Sequence, residues 1–217
     1  MKLYSYWRSS ASWRVRIALH YKELAFTYVP VNLIQGGGEQ LGDAYRAVNP
    51  MAQVPTLELP TGERLSQSLA VIEYLEETVP LPALLPRDPF ARAKARQLAE
   101  VINAGIQPLQ NTGVIRELVK LGVDPKPWCK QFIETGLRAL EKSAQPTAGK
   151  FLVGDAVTVA DVCLVPQLYN ARRYDVDLAQ FPLIVRVESA CMELPAFQRA
   201  HAEKQPDFSE PVTPLRI

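Results

Sequence analysis

The sequence predicts two domains of different class, a mixed α/β domain followed by an all-α domain. Three observations carry this reading. Up to Thr78, strand-like and helix-like segments alternate, the pattern of a mixed sheet with helices packed on it. The segment Val79-Pro80-Leu81-Pro82-Ala83-Leu84-Leu85-Pro86-Arg87-Asp88-Pro89 then holds four prolines, which stop helices and bias their predecessors toward extended backbone. Beyond it only helical periodicity remains. The boundaries are residues 1–80 for the first domain, 81–88 for the linker and 89–217 for the second.

In the first domain the strands fall at Lys2–Tyr6, Thr27–Val31, Thr56–Leu59 and Glu63–Ser66, with Thr61-Gly62 turning between the last two. Helices run from the Ser9 region through Tyr21, over Gln40–Val48, and from Gln67 to Thr78. Gly36-Gly37-Gly38 is a flexible loop without the Lys-Ser/Thr pair of a phosphate cradle. In the second domain Phe90–Leu121 has apolar residues at helical spacing, with Pro108 predicted to kink the helix. Further helices cover Trp128–Ala144, Thr158–Tyr174, Leu183–Glu193 and Ala196–Glu203. Thr158-Val159-Ala160-Asp161 reads as a capping box, so Asp161 is a structural carboxylate and not a catalytic one. The tail, Lys204–Ile217, has three prolines and no period, and reads as a loose extension.

The formal net charge of +1 gives no electrostatic case for nucleic acid or an anionic membrane surface. No apolar run is long enough to span a bilayer, and Met1-Lys2-Leu3-Tyr4 enters a strand with no signal-peptide layout. Cys129, Cys163 and Cys191 are an odd, widely spaced set that suits neither a disulfide framework nor a zinc site. Each reads as a small buried hydrophobe, and a reduced, cytosolic setting is the simplest account. No metal-ligand spacing occurs, and His20 and His201 have no partner spacing.

The densest chemistry lies in Arg8-Ser9-Ser10-Ala11-Ser12-Trp13-Arg14, where a strand hands over to a helix. Serine is a preferred helix N-cap, and one serine there reads as a cap. The same helix end carries unpaired N–H groups and partial positive charge, so it can hold a thiolate or carboxylate. Three hydroxyls between Arg8 and Arg14 shift the balance toward a site. Two further segments share its character. Asn49-Pro50-Met51-Ala52-Gln53-Val54-Pro55-Thr56-Leu57 sets Pro55 directly before a strand, at a bond where a cis peptide is common enough to expect. Leu65-Ser66-Gln67-Ser68 opens a helix with amide and hydroxyl side chains.

Together these segments resemble the glutathione-transferase superfamily, and within it the zeta class that includes the maleylacetoacetate isomerases. The zeta signature Ser-Ser-Cys-Ser/Ala-x-Arg-Val-Arg-Ile-Ala-Leu is matched from Ser9 to Leu19, except that Ala11 stands in place of the cysteine. The resemblance continues through Asn49–Leu57, Gln67–Glu76, Gly105–Asn111 and Gly154–Leu178, nearly the whole chain. It implies a thioredoxin-like N-terminal domain, an all-α C-terminal domain, a homodimer and glutathione as cofactor. It also implies the binding set Ser9, Ser10, Ala11, Ser12, Trp13, Arg14, Gln40, Val54, Pro55, Gln67, Ser68, Gln107 and Asn111. Of these, Gln40, Gln107 and Asn111 would each read as a surface amide without the resemblance.

Within that set Gln67 and Ser68 are expected to hold the γ-glutamyl carboxylate at their helix start, and Val54 to pair with the cysteinyl backbone like an added strand. Ser9 is the expected donor to the thiolate. Ser10 and Ser12 are the cap-like alternatives, and Tyr4 and Tyr6 are rivals because other classes use a strand-end tyrosine. Loss of the thiol at Ala11 leaves isomerisation intact, since glutathione supplies the nucleophile. Arg8 and Arg173, the latter in Asn170-Ala171-Arg172-Arg173-Tyr174, are expected to bind a small acidic substrate; Arg172 reads as a solvated helix face. The implied reaction is addition of the glutathione thiolate to a cis double bond, rotation and expulsion, converting maleylacetoacetate to fumarylacetoacetate in aromatic amino-acid breakdown. Maleylpyruvate isomerisation, conjugation of haloacids or other electrophiles, and a non-catalytic association module are the competing readings.

Overall fold

Four short strands, β1 (Lys2–Ser5), β2 (Thr27–Pro30), β3 (Thr56–Glu58) and β4 (Arg64–Ser66), form one sheet in the order β2-β1-β3-β4. The computed structural model describes residues 1–209. β1 pairs parallel with β2 and antiparallel with β3, and β3 pairs antiparallel with β4. The register sets Tyr4 beside Val29 and Thr56, and Thr56 beside Ser66. One end of the sheet therefore gathers four chain segments: those after Ser5, after Pro30, before Thr56 and after Ser66. Most of the predicted site residues of this half lie on those four segments.

The sheet is covered by helix α1 (Ser10–Tyr21), buried at every position from Ser12 to Leu19, and by α3 (Ser68–Thr78). The predicted helix over Gln40–Val48 is shorter. A 3-10 turn at Glu39–Leu41 and the single turn α2 (Asp43–Arg46) are separated by Gly42 in an extended conformation. Lys22, buried at the end of α1, pairs with Glu76 at 2.8 Å and donates to the carbonyls of Val79 and Pro82, which fixes the start of the proline-rich segment.

The chain divides into two compact units at Pro82–Ala83, and among the described residues the segment 195–209 groups with the first unit. The sequence predicts this segment as part of the helical half, and from Lys204 as a loose extension. Instead α9 (Pro195–Ala200) packs on α1, Gln205 is buried with its amide bonded to the Arg199 and His201 carbonyls, and Asp207 accepts two hydrogen bonds. Lack of periodicity misleads here because single polar side chains, not a helical face, hold the segment. The rest of that predicted extension, 210–217, lies outside the described residues.

The second unit contains α4 (Pro89–Asn103), α5 (Thr112–Lys120), α6 (Pro125–Ala144), α7 (Val159–Arg173) and α8 (Pro182–Met192). Asp88, Asn111 and Asp124 cap α4, α5 and α6 through their side-chain oxygens. The predicted kinked helix over Phe90–Leu121 is two helices. Pro108 lacks an N–H and would clash with the Ala104 carbonyl of a continuing helix, so α4 ends first and Asn111 restarts the chain after a 3-10 turn at Gln107–Gln110. α7 is buried along most of its length and packs on α4 and α8. At its start Asp161 accepts from the Thr158 amide at 2.7 Å, the Thr158 hydroxyl at 2.9 Å and the Leu152 amide at 2.9 Å, as the capping-box reading expects. Among the described residues no helix is long and apolar enough to cross a membrane, and no cluster of His, Cys, Asp or Glu could hold a metal.

Candidate active site

Ser9 is the N-cap of α1. Its backbone is extended (φ −65°, ψ 116°), its Oγ accepts from the Ser12 amide at 3.2 Å and its carbonyl accepts from Trp13 at 2.9 Å. Its own amide is tied to the Tyr6 carbonyl at 3.0 Å. Capping and chemistry are compatible in one hydroxyl. The oxygen lone pair takes the helix amide, and the O–H remains to donate outward. Ser10, one of the two cap-like alternatives, is the first helical residue, and Ser12, the other, is fully buried. Arg8, Ser9, Ser10 and Ala11 are partly exposed, and the Arg8 guanidinium lies 5.3 Å from the centre of the buried Trp7 ring.

The rival tyrosines are engaged elsewhere. The Tyr4 phenol donates to Glu58 at 3.3 Å, toward the far end of the sheet, and Tyr6 is buried with its ring against Trp7. Trp13 and Arg14 are also fully buried, so both form the wall behind the helix start. Trp13 meets the His201 ring edge-on at 5.0 Å. Arg14 Nη1 donates to the Ser68 hydroxyl at 3.2 Å, tying α1 to the start of α3.

The other segments at this end of the sheet are equally defined. The Val54–Pro55 peptide is cis, and the loop before it is held by Tyr45 Oη and Asn49 Nδ2, both donating to the Gln53 carbonyl. Gln67, exposed at the start of α3, has φ 70° and ψ 113°, a conformation a non-glycine residue adopts only when its surroundings impose it, at a cost of order 1–3 kcal/mol. Ser68 beside it is buried. Gln40 is buried, with Nε2 3.4 Å from the Leu33 carbonyl. Gly38 makes room for it, because a Cβ there would meet the Gln40 amide at 2.5 Å.

In the helical unit Gln107 opens the 3-10 turn and Asn111 caps α5, its Oδ1 accepting from Gly113 at 3.2 Å. Arg173, in the last turn of α7, ends a line of amides. Arg173 Nη1 donates to Asn170 Oδ1 at 2.7 Å, Asn170 Nδ2 to Gln110 Oε1 at 2.6 Å, and Gln110 Nε2 to Gln167 Oε1 at 2.7 Å. The three amide residues are buried and Arg173 is partly exposed. Arg172, read as a solvated helix-face residue, is exposed, and its guanidinium also makes a two-pronged ion pair with Glu188 that joins α7 to α8.

Sequence reasoning passed over Arg16, Asp207, Gln110 and Gln167. Only Arg16 left a signal, as a charge within an otherwise buried helix. Burial pulls its guanidinium down to about 10, while Tyr28 and Asp207 oppose that shift. Burial also raises the thiols of Cys129 and Cys191, which keeps both as inert core residues.

Residues 8–78 match the family model for the glutathione S-transferase N-terminal domain, and residues 133–195 the model for its C-terminal domain. The chain is 50% identical to the maleylacetoacetate isomerase of Rattus norvegicus, over 94% of this chain and 94% of that one. Among solved structures it matches a holo maleyl pyruvate isomerase, a bacterial zeta-class glutathione S-transferase, with TM-score 0.91 and 42% identity over 96% of this chain and 100% of that one. The chain belongs to the zeta class of the glutathione S-transferase family. A maleylacetoacetate isomerase of Anaeromyxobacter dehalogenans 2CP-1 with bound glutathione matches it with TM-score 0.87 and 50% identity, over 95% of this chain and 96% of that one. That protein is also solved with dicarboxyethyl glutathione and citrate in its active site. The thioredoxin-like and all-α halves of this family are the fold class predicted from the sequence. Ala11, where the zeta signature has cysteine, sits partly exposed in the first turn of α1 and takes nothing from the Ser9 cap.

Proposed function

We propose that this chain is a glutathione-dependent cis–trans isomerase that converts maleylacetoacetate to fumarylacetoacetate. The observation that carries the reading is the Ser9 cap, a partly exposed hydroxyl at the start of a twelve-residue helix whose oxygen is already engaged by a helix amide. Glutathione has two carboxylates, an amine and a thiol, and the α/β unit offers a group for each end of it. The start of α3 at Gln67-Ser68 supplies amides for the γ-glutamyl carboxylate, and the edge at Val54 supplies backbone for the cysteinyl residue. Gln40 joins this set by resemblance. When bound, glutathione supplies a thiolate nucleophile that adds reversibly to the cis double bond.

The chain's own residues make that chemistry accessible at neutral pH. A free thiol has a pKa of about 8.5, and a helix N-terminus lowers it by one or more units, each about 1.4 kcal/mol. Ser9 Oγ–H donates to the sulfur, with Ser10 beside it in the first turn. Arg8 and Arg173 hold the substrate carboxylates, and an arginine also steadies the negative charge that develops on the substrate oxygen. No residue need exchange a proton with carbon.

With that activity we propose a cytoplasmic homodimer serving tyrosine and phenylalanine breakdown; sedimentation at micromolar concentration showing only a species near 24.2 kDa would reject the dimer. Its likeness to a maleyl pyruvate isomerase makes maleylpyruvate the second substrate to assay. A spectrophotometric assay of both compounds, with and without glutathione, tests the reading. Glutathione-dependent isomerisation of maleylacetoacetate is expected. Turnover of neither compound, together with conjugation of electrophiles, would replace the isomerase with a conjugating transferase.

A further inference from the structure

The chain around Ser9 is held by residues nearly two hundred positions away. Trp7, two residues before the cap, donates its amide to Asp207 Oδ2 at 3.0 Å. The other oxygen of Asp207 accepts from the Tyr28 phenol at 2.6 Å. Phe208 meets the buried Trp7 ring edge-on at 5.0 Å. On the inner side Arg16, fully buried, donates to the Tyr6 carbonyl at 3.3 Å, the Trp7 carbonyl at 2.9 Å, the Ser5 hydroxyl at 3.2 Å and the Ala200 carbonyl at 3.2 Å. The Tyr6 carbonyl also receives the Ser9 amide. The Tyr6–Trp7 peptide is thus fixed at both of its polar atoms, the carbonyl by Arg16 and the N–H by Asp207, and the Trp7 carbonyl is held by Arg16 as well. The Ser9 hydroxyl stays partly exposed at the start of α1, directly after this fixed stretch.

We propose that Asp207 and Phe208 are positioning residues of the glutathione site: they clamp Trp7 and thereby set the Ser9 hydroxyl and the α1 N-terminus against the thiolate. A group that must stabilise a thiolate by one hydrogen bond has to be held within a fraction of an ångström. β1 ends at Ser5, so the sheet does not hold Tyr6–Arg8. The C-terminal segment does, and the site is complete only when this segment is docked. Asp207 also lies in the electrostatic environment of Arg16, a cation that burial would otherwise leave uncompensated. The inference rests on the proposed role of Ser9.

The test is an ultraviolet titration of the thiolate of bound glutathione, with glutathione affinity and melting temperature measured alongside. Asp207→Ala should raise the bound-thiol pKa toward the free value of about 8.5 and cut kcat roughly tenfold, with a smaller change in glutathione affinity. Asp207→Asn, whose oxygen can still accept from Trp7 while its amide donates to the Tyr28 oxygen, should restore most of the wild-type pKa. Phe208→Ala removes the ring from Trp7 and leaves every hydrogen bond named above. It should raise the pKa less, and it decides the matter if Asp207→Ala does not fold. A folded Asp207→Ala or Phe208→Ala protein with a lower melting temperature but a wild-type thiol pKa overturns the proposal. Ser9→Ala in the same titration separates the failures, because an unchanged pKa there defeats the role of Ser9 itself.

Discussion

Asn170 Oδ1 lies 2.7 Å from Arg173 Nη1, and the amide nitrogen of the same Asn170 donates to Gln110. Turning the Asn170 amide over would set NH2 against guanidinium and oxygen against oxygen, so the Gln167–Gln110–Asn170 line fixes which atom meets the arginine. One side of the Arg173 fork is thereby anchored. Asn170→Ala should raise KM for the dicarboxylate roughly tenfold, about 1.4 kcal/mol, with a smaller change in kcat. Steady-state kinetics showing the loss in kcat alone would contradict this role.

Arg173→Ala removes the guanidinium itself. Truncating a buried charge-assisted contact costs about 2–5 kcal/mol, so kcat/KM for the acidic substrate should fall strongly. Conjugation of a neutral electrophile should change little, since the residues proposed to bind the glutathione thiolate sit in the α/β unit. Equal losses with both substrates would make Arg173 structural.

Ser9→Ala should cut turnover about a hundredfold, the usual scale for losing one preorganised donor to developing charge, with modest loss of glutathione affinity. Tyr6→Phe should be nearly silent, because its ring is buried against Trp7. The reverse pattern would move the thiolate donor to Tyr6.

Asp161 links stability to pH. Burial outweighs the hydrogen bonds it accepts and moves its carboxyl from 3.8 to about 6. The folded state therefore binds a proton that the unfolded state releases between these values. That contribution is fully present below about pH 4 and is lost as pH rises through about 6. Relative to Asp161→Asn, which does not titrate, the wild type should gain up to about 3 kcal/mol of unfolding free energy between pH 7 and pH 4. Denaturant unfolding across this range gives the answer, and a flat or opposite difference contradicts it.

What the sequence revealed follows from how local each signal is. Strand–helix alternation and the proline-rich segment marked the two halves, and the Ser9–Leu19 signature marked the helix start, because caps and periodicity act over a few residues. Strand ends came out long at Tyr6, Val31, Leu59 and Glu63, whose side chains continue the pattern beyond the paired register. The positive φ of Gln67 was invisible, since glutamine gives no sign of a backbone conformation imposed from outside. The Trp7–Asp207 bond was equally invisible, as it spans two hundred positions with no periodicity to announce it. Gln110 and Gln167 looked like ordinary helix amides, and only packing aligns them behind Arg173.

The most direct test of the account is the titration of glutathione bound to the wild-type protein, followed by thiolate absorbance. A helix N-terminus with the Ser9 hydroxyl turned toward the sulfur predicts a bound-thiol pKa at least one unit below the free value of about 8.5. A bound thiol that titrates at the free value, with glutathione at full occupancy, would contradict thiolate stabilisation by Ser9 and the α1 N-terminus.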